Sequence, residues 1–103
     1  MAYYVMLTSL TSEGRKTIMR NPEKMQDVNQ EVEAMGAKII AQYSVLGQHD
    51  FINILEAPNN NVIARVTSEL RARGTLLPLT LASTAIEDLI TKLETSNTMR
   101  EKT

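Results

Sequence analysis

The chain carries a single histidine, His49, directly before Asp50. An imidazole oriented by a carboxylate can serve as a general base near neutral pH. Gln48, His49 and Asp50 are sequence neighbours in a predicted turn, however, and neighbours in a turn need not converge on anything. The bland reading of His49 is a solvent-facing turn residue. Three phenols (Tyr3, Tyr4 and Tyr43), two amides (Gln42 and Asn53) and the hydroxyl of Ser44 complete the polar groups that strands could present to a ligand. Tyrosines on strands more often pack as amphipathic core. Ser44 has no Gly-x-Ser-x-Gly context and no nearby base, so it is not expected to act as a nucleophile. The chain has no cysteine, which excludes disulfides, thiolate metal sites and a thiol nucleophile. One histidine without cysteines, and with no carboxylates at ligand spacing, gives no metal site. Neither a Walker nor a Rossmann glycine pattern occurs, and no cofactor is expected. What remains is the chemistry of binding. Tyr4, Gln42, Ser44, His49 and Asn53 are the residues expected to contact a ligand.

The elements that must position these groups are legible from periodicity. Tyr3 to Leu10 is an apolar run rich in aromatic and β-branched residues, as in a central strand covered on both faces. Thr11 and Ser12 cap a short helix carrying Ile18 and Met19. Asn21-Pro22 restarts it, with proline at the first helical position. Met25, Val28, Val32 and Met35 then share one helical face, and Gly36 ends the helix. Ala37–Val45 and Ile52–Glu56 are two strands around the tip Leu46-Gly47-Gln48-His49-Asp50-Phe51. Gly47 supplies the positive φ of a hairpin turn there, and Asp50 supplies local backbone bonding. After Pro58-Asn59-Asn60-Asn61 comes a helix burying Val62, Ile63, Val66 and Leu70. Its outer face carries Arg65–Glu69 and Glu69–Arg73 pairs, and Gly74 stops it. Thr75–Ala82 is a strand whose Pro78 assigns it to an edge or a bulge. Thr84 and Glu87 form a capping box for a last helix expected to bury Ile86, Leu89, Ile90 and Leu93. Residues 1–94 read as one domain and residues 95–103 as a polar, frayed tail.

The order β-α-β-β-α-β with an added helix is the split βαβ arrangement. Right-handed crossovers put the first and third strands in the centre and the second and fourth at the edges. Pairing Leu46 with Phe51 sorts the hairpin into two faces. Ile40, Gln42, Ser44, Leu46, Phe51, Asn53 and Leu55 form a mixed face. Ile39, Ala41, Tyr43, Val45, Ile52 and Ile54 form a nearly pure apolar one. The apolar face is the expected bed for the helices. The mixed face, with Tyr4, Met6 and Thr8 beside it, is the expected site of a subunit interface or a ligand pocket.

A chain of 103 residues, with 43% hydrophobic and 22% charged residues, is an ordinary soluble domain. A net charge of −1 gives no electrostatic case for nucleic acid or for an anionic membrane. The sequence shows no apolar run of bilayer length and no signal-peptide pattern, and the expected compartment is the cytoplasm.

Tyr4-Val5 in the first strand, Thr11-Ser12-Glu13-Gly14 at the helix start, and Gly47 with Asp50 at the tip together resemble the GYD-domain family. His49 stands where the family's Gly-x-Tyr-Asp tip has tyrosine. The resemblance implies a ferredoxin-like α+β fold forming a dimeric α/β barrel, and it assigns no general activity. The preferred reading is therefore a homo-oligomer without established catalysis, binding a small organic ligand or acting as an oligomerisation and sensing module. One alternative is a cofactor-independent enzyme resembling small barrel monooxygenases or isomerases. It would polarise an aromatic or polyketide-like substrate with His49, Tyr43 or Asn53. Another is an interaction subunit that adds an exposed strand edge to a partner's sheet.

Overall fold

The computed structural model describes the backbone of residues 2–101 and side chains through residue 96. It has the order β1 (Ala2–Leu10), α1 (Ser12–Arg20), α2 (Lys24–Ala34), β2 (Lys38–Ser44), β3 (Phe51–Ala57), α3 (Asn60–Ala72), β4 (Leu76–Ala82) and α4 (Ile86–Glu101). The sheet is fully antiparallel with strand order β2-β3-β1-β4. The first and third strands lie in the centre, as the crossover rule requires, and the proline-bearing strand is at an edge. The fold is α+β and ferredoxin-like. The tail expected from Thr95 continues α4 as helix to Glu101, and Met1, Lys102 and Thr103 lie outside the described residues.

Local chemistry explains the element ends. The Thr11 hydroxyl accepts from the Gly14 N–H at the start of α1, and the Asn59 side chain accepts from the Val62 N–H at the start of α3. Each satisfies one of the amides that a helix start leaves without an internal partner. Gly47 has φ 139° at the tip, in the region where a side chain would be strained.

β2 and β3 pair Ser44 with Phe51 and Gln42 with Asn53, with an irregularity between Ile39 and Ala41. The register thus differs by two residues from one built on a Leu46–Phe51 pair, and Leu46 sits fully exposed in the loop. A slip of two leaves the faces of a strand intact. The irregularity does not: it inserts Ile40 as an extra residue, so Ile39, not Ile40, stands opposite Leu55 on the helix side.

The larger correction concerns which face the helices cover. Buried Tyr4, Met6 and Thr8 of β1 and Asn53, Leu55 and Ala57 of β3 lie beneath them. They pack with Val32 of α2 and with Ile63, Val66 and Leu70 of α3. The mixed face is therefore the covered one along β1 and β3, while its β2 residues Gln42 and Ser44 stay exposed. Buried Asn53 needs no solvent because Met6 O, Thr8 and Gln42 satisfy its amide. The apolar face is bare: Tyr3, Tyr43, Leu77, Leu79 and Leu81 are each about half exposed, and Val5, Leu7, Ile52 and Ile54 between them are partly so. Ile86, Leu89, Ile90 and Leu93 of α4 are also exposed and not buried as their spacing predicts.

Gly14 explains why α1 sits where it does. A Cβ there would drive into the backbone of Thr75, its carbonyl oxygen and carbon foremost. The same junction is tied by Thr11, whose N–H donates to Thr75 O at 3.1 Å and whose hydroxyl donates to Gly74 O at 2.7 Å. Backbone cannot move aside as a flexible side chain does. Gly14→Ala is expected to destabilise the fold by about 1–3 kcal/mol, lowering the melting temperature by roughly 5–20 °C. Thermal unfolding followed by circular dichroism measures this, and an unchanged midpoint would show that α1 can lift from β4 freely.

Candidate functional site

α1 and α2 stand off from the sheet and leave a partly open cavity of about 540 Å3 beneath them. Its floor is the strand face of Met6, Thr8, Asn53 and Leu55, and its roof includes Ile18, Met25, Val28 and Val32. The roof residues follow the helical spacing that buries one side of α2. The floor follows the two-residue period of β1 and β3. Size and lining are those of a small-molecule pocket with an apolar wall and a few polar groups.

Those polar groups form one network. The Asn53 amide donates to Met6 O at 3.2 Å and to Thr8 Oγ1 at 3.1 Å. Asn53 Oδ1 accepts from Gln42 Nε2 at 2.9 Å. Gln42 and Asn29 exchange amide bonds at 2.7 and 2.9 Å, joining β2 to α2. Every described buried side-chain polar atom has a partner, which removes the penalty of about 1–3 kcal/mol for an orphaned group. At the mouth, Lys24 and Asp27 lie 3.9 Å apart, and Arg73 at the end of α3 pairs with Glu31 of α2. Arg73 thus reaches across to α2, and its neighbour Arg71 donates to Pro78 O at 2.5 Å.

Of the residues singled out from sequence, Gln42, Tyr43, Ser44 and Asn53 border this cavity. Tyr4 does not line it. Its buried hydroxyl donates to Asn60 Oδ1 at 2.5 Å, pinning β1 to the start of α3. His49 stays at the hairpin tip, with Nδ1 3.2 Å from Ser9 Oγ. The Tyr43 side chain is 60% exposed, and strand alternation turns it to the bare face. Tyr43 and Asn53 border one cavity and His49 does not, so the three do not meet around one space. Asn29 is the contributor that sequence reasoning missed. Its signal was its place four residues after Met25, which puts both on one side of α2.

Asp50 has a structural task at the tip. Its carboxylate accepts from the Leu10 N–H at 2.7 Å, with Arg15 at 3.9 Å, while its own N–H donates to Thr8 O at 2.9 Å. The tip is thereby fastened to the end of β1. Removing the carboxylate leaves the Leu10 N–H without its acceptor, so Asp50→Ala should cost about 1–3 kcal/mol. His49→Ala should stay within about 0.5 kcal/mol, as for other surface substitutions. Urea unfolding of the two variants measures both. A larger loss from His49→Ala than from Asp50→Ala would reverse the assignment of the tip.

Comparison with known proteins agrees with this architecture. The family model described as "GYD domain" matches residues 4–93. A protein of Thermus thermophilus named "Glutamine synthetase and cystathionine beta-lyase binding protein" is 39% identical over 95 residues, covering 91% of this chain and all of that one. The crystal structure of FFRP-DM1 aligns over 82% of this chain and 100% of that chain, at 17% identity and a TM-score of 0.55. A dimeric ferredoxin-like protein from an uncultured marine organism aligns over 84% of this chain and 95% of that chain, at 10% identity and a TM-score of 0.43. With the family model spanning residues 4–93, this chain belongs to the GYD-domain family.

Proposed function

We propose that this chain is a self-associating protein-binding module, not a catalyst, and that two copies pair through the bare sheet face. The observation that carries the reading is that face itself. A half-exposed leucine or tyrosine leaves roughly 80–150 Å2 uncovered. Five such residues, with the partly covered Val5, Leu7, Ile52 and Ile54, approach the ~800 Å2 per partner of a standard interface. A monomer rarely leaves so large a contiguous apolar surface in water. Pairing two such sheets face to face would form the dimeric α/β barrel.

The partner class comes from the Thermus relative, named for binding glutamine synthetase and cystathionine β-lyase. At 39% identity over nearly the whole chain, an enzyme of amino-acid metabolism is the first partner to test. The residues considered for catalysis support binding over chemistry. Asp50 is engaged by the Leu10 N–H, and Asn53 has both amide protons donated within the protein.

Sedimentation equilibrium at micromolar concentration is expected to give twice the 11.5 kDa chain mass. Leu79→Asp should give the single-chain mass with the fold intact, since Leu79 is already 48% exposed. A wild-type chain that sediments as a monomer would remove this reading. Titration calorimetry with purified glutamine synthetase and cystathionine β-lyase tests the partner, and heats equal to dilution for both would exclude that pair.

The cavity favours a second reading, in which a small neutral ligand tunes the module. Thr8 Oγ1 accepts one bond from Asn53, which leaves it a hydroxyl proton to donate and a second lone pair. The apolar walls suit an aromatic or fatty body with one hydrogen-bond acceptor. Nucleotide phosphates call for a basic or glycine-rich cradle instead. A thermal-shift screen should show stabilisation by small aromatic or fatty compounds and none by nucleotides. A screen in which no such compound raises the midpoint would reject the ligand.

A further inference from the structure

After β4 the chain leaves the body of the protein. Ser83 is held at the sheet, its N–H and hydroxyl both donating to Tyr3 O, at 3.2 and 2.8 Å. From Ser83 to Ser96 every described side chain is exposed. Ile86, Leu89, Ile90 and Leu93 are between 45% and 64% exposed, and their spacing of three, four and seven makes one helical stripe. The principal extents of 62 × 29 × 20 Å record the projection of this helix. A 16-residue helix measures about 24 Å, enough to cross four strands spaced about 4.8 Å apart.

The geometry points to α4 as an exchange arm: its apolar stripe packs on a second copy of this chain, beside the sheet faces that pair. This rests on the self-association proposed above and adds the element that secures it. The occupant follows from counting surfaces. Among the described residues each chain has one uncovered sheet face and one uncovered helix stripe, both apolar. A twofold pairing is isologous, so whatever one copy lends the other returns. One symmetric contact then covers both surfaces on both chains and leaves neither wet. The stripe also brings the area above the ~800 Å2 per partner that the sheet face approaches by itself, into the range of more permanent dimers.

The test compares wild type with Leu89→Glu/Leu93→Glu and with Leu79→Asp. Leu89 and Leu93 are about half exposed in the single chain, so the double variant should keep its circular dichroism spectrum. Its dimer dissociation constant by sedimentation equilibrium should rise at least about 100-fold, since truncating buried anchors dominates interface loss. The wild-type melting temperature should rise with protein concentration, and the double variant should lose much of that dependence. An unchanged dissociation constant overturns the arm. So does a melting temperature lowered equally at all concentrations, which would mean that α4 folds onto its own sheet. If Leu79→Asp gives monomers while the double variant stays fully dimeric, sheet pairing stands and the arm alone fails. If wild type is monomeric, both fail.

Discussion

In a four-stranded sheet the side chains of each strand are dealt alternately to two faces, and this chain supplies helices for only one of them. β1 and β3, side by side in the centre, send Tyr4, Met6, Thr8, Asn53, Leu55 and Ala57 under the helices. The same alternation sends Tyr3, Val5, Leu7, Ile52 and Ile54 to the other side, where no element among the described residues covers them. Both faces of the central strands are apolar enough to be core. The fold is complete as a layer and incomplete as a hydrophobic surface, and its bare face follows from that.

Much of the architecture was legible in the sequence. Element order, central and edge strands, the Thr11 N-cap and the edge position of Pro78 follow from patterning and from what each residue type does to a backbone. The assignment of the two faces was not legible. Ile39, Ala41, Tyr43, Val45, Ile52 and Ile54 form the more hydrophobic set, and hydrophobicity suggests the helix bed. The structure instead buries Asn53, with Gln42 and Asn29 linked to it. A buried amide whose hydrogen bonds are all met, here by Met6, Thr8 and the exposed Gln42, can enter a core at little cost. A single sequence does not display that satisfaction, because the partners come from β1, β2 and β3.

The candidate site was half legible for the same reason. Gln42, Ser44 and Asn53 do gather at one cavity because their alternation was read correctly even where the register slipped by two. Tyr4 shares their face but lies away from the cavity, bonded to Asn60. His49 remained a turn residue. The stripe of α4 was also visible in the sequence, while its burial was not, because periodicity says that a helix has an apolar side and is silent on whose surface meets it.

Both rims of the sheet carry an interruption. β2 is kinked by its extra residue at Ile40, and β4 contains Pro78, which has no amide hydrogen to offer a further strand. Each device frustrates the edge-to-edge growth by which open sheets turn into fibrils. A chain with this much exposed leucine and isoleucine is under pressure to aggregate. The bulge and the proline close that route, and the pairing proposed for the flat of the sheet is of the other kind, one that stops at a defined size.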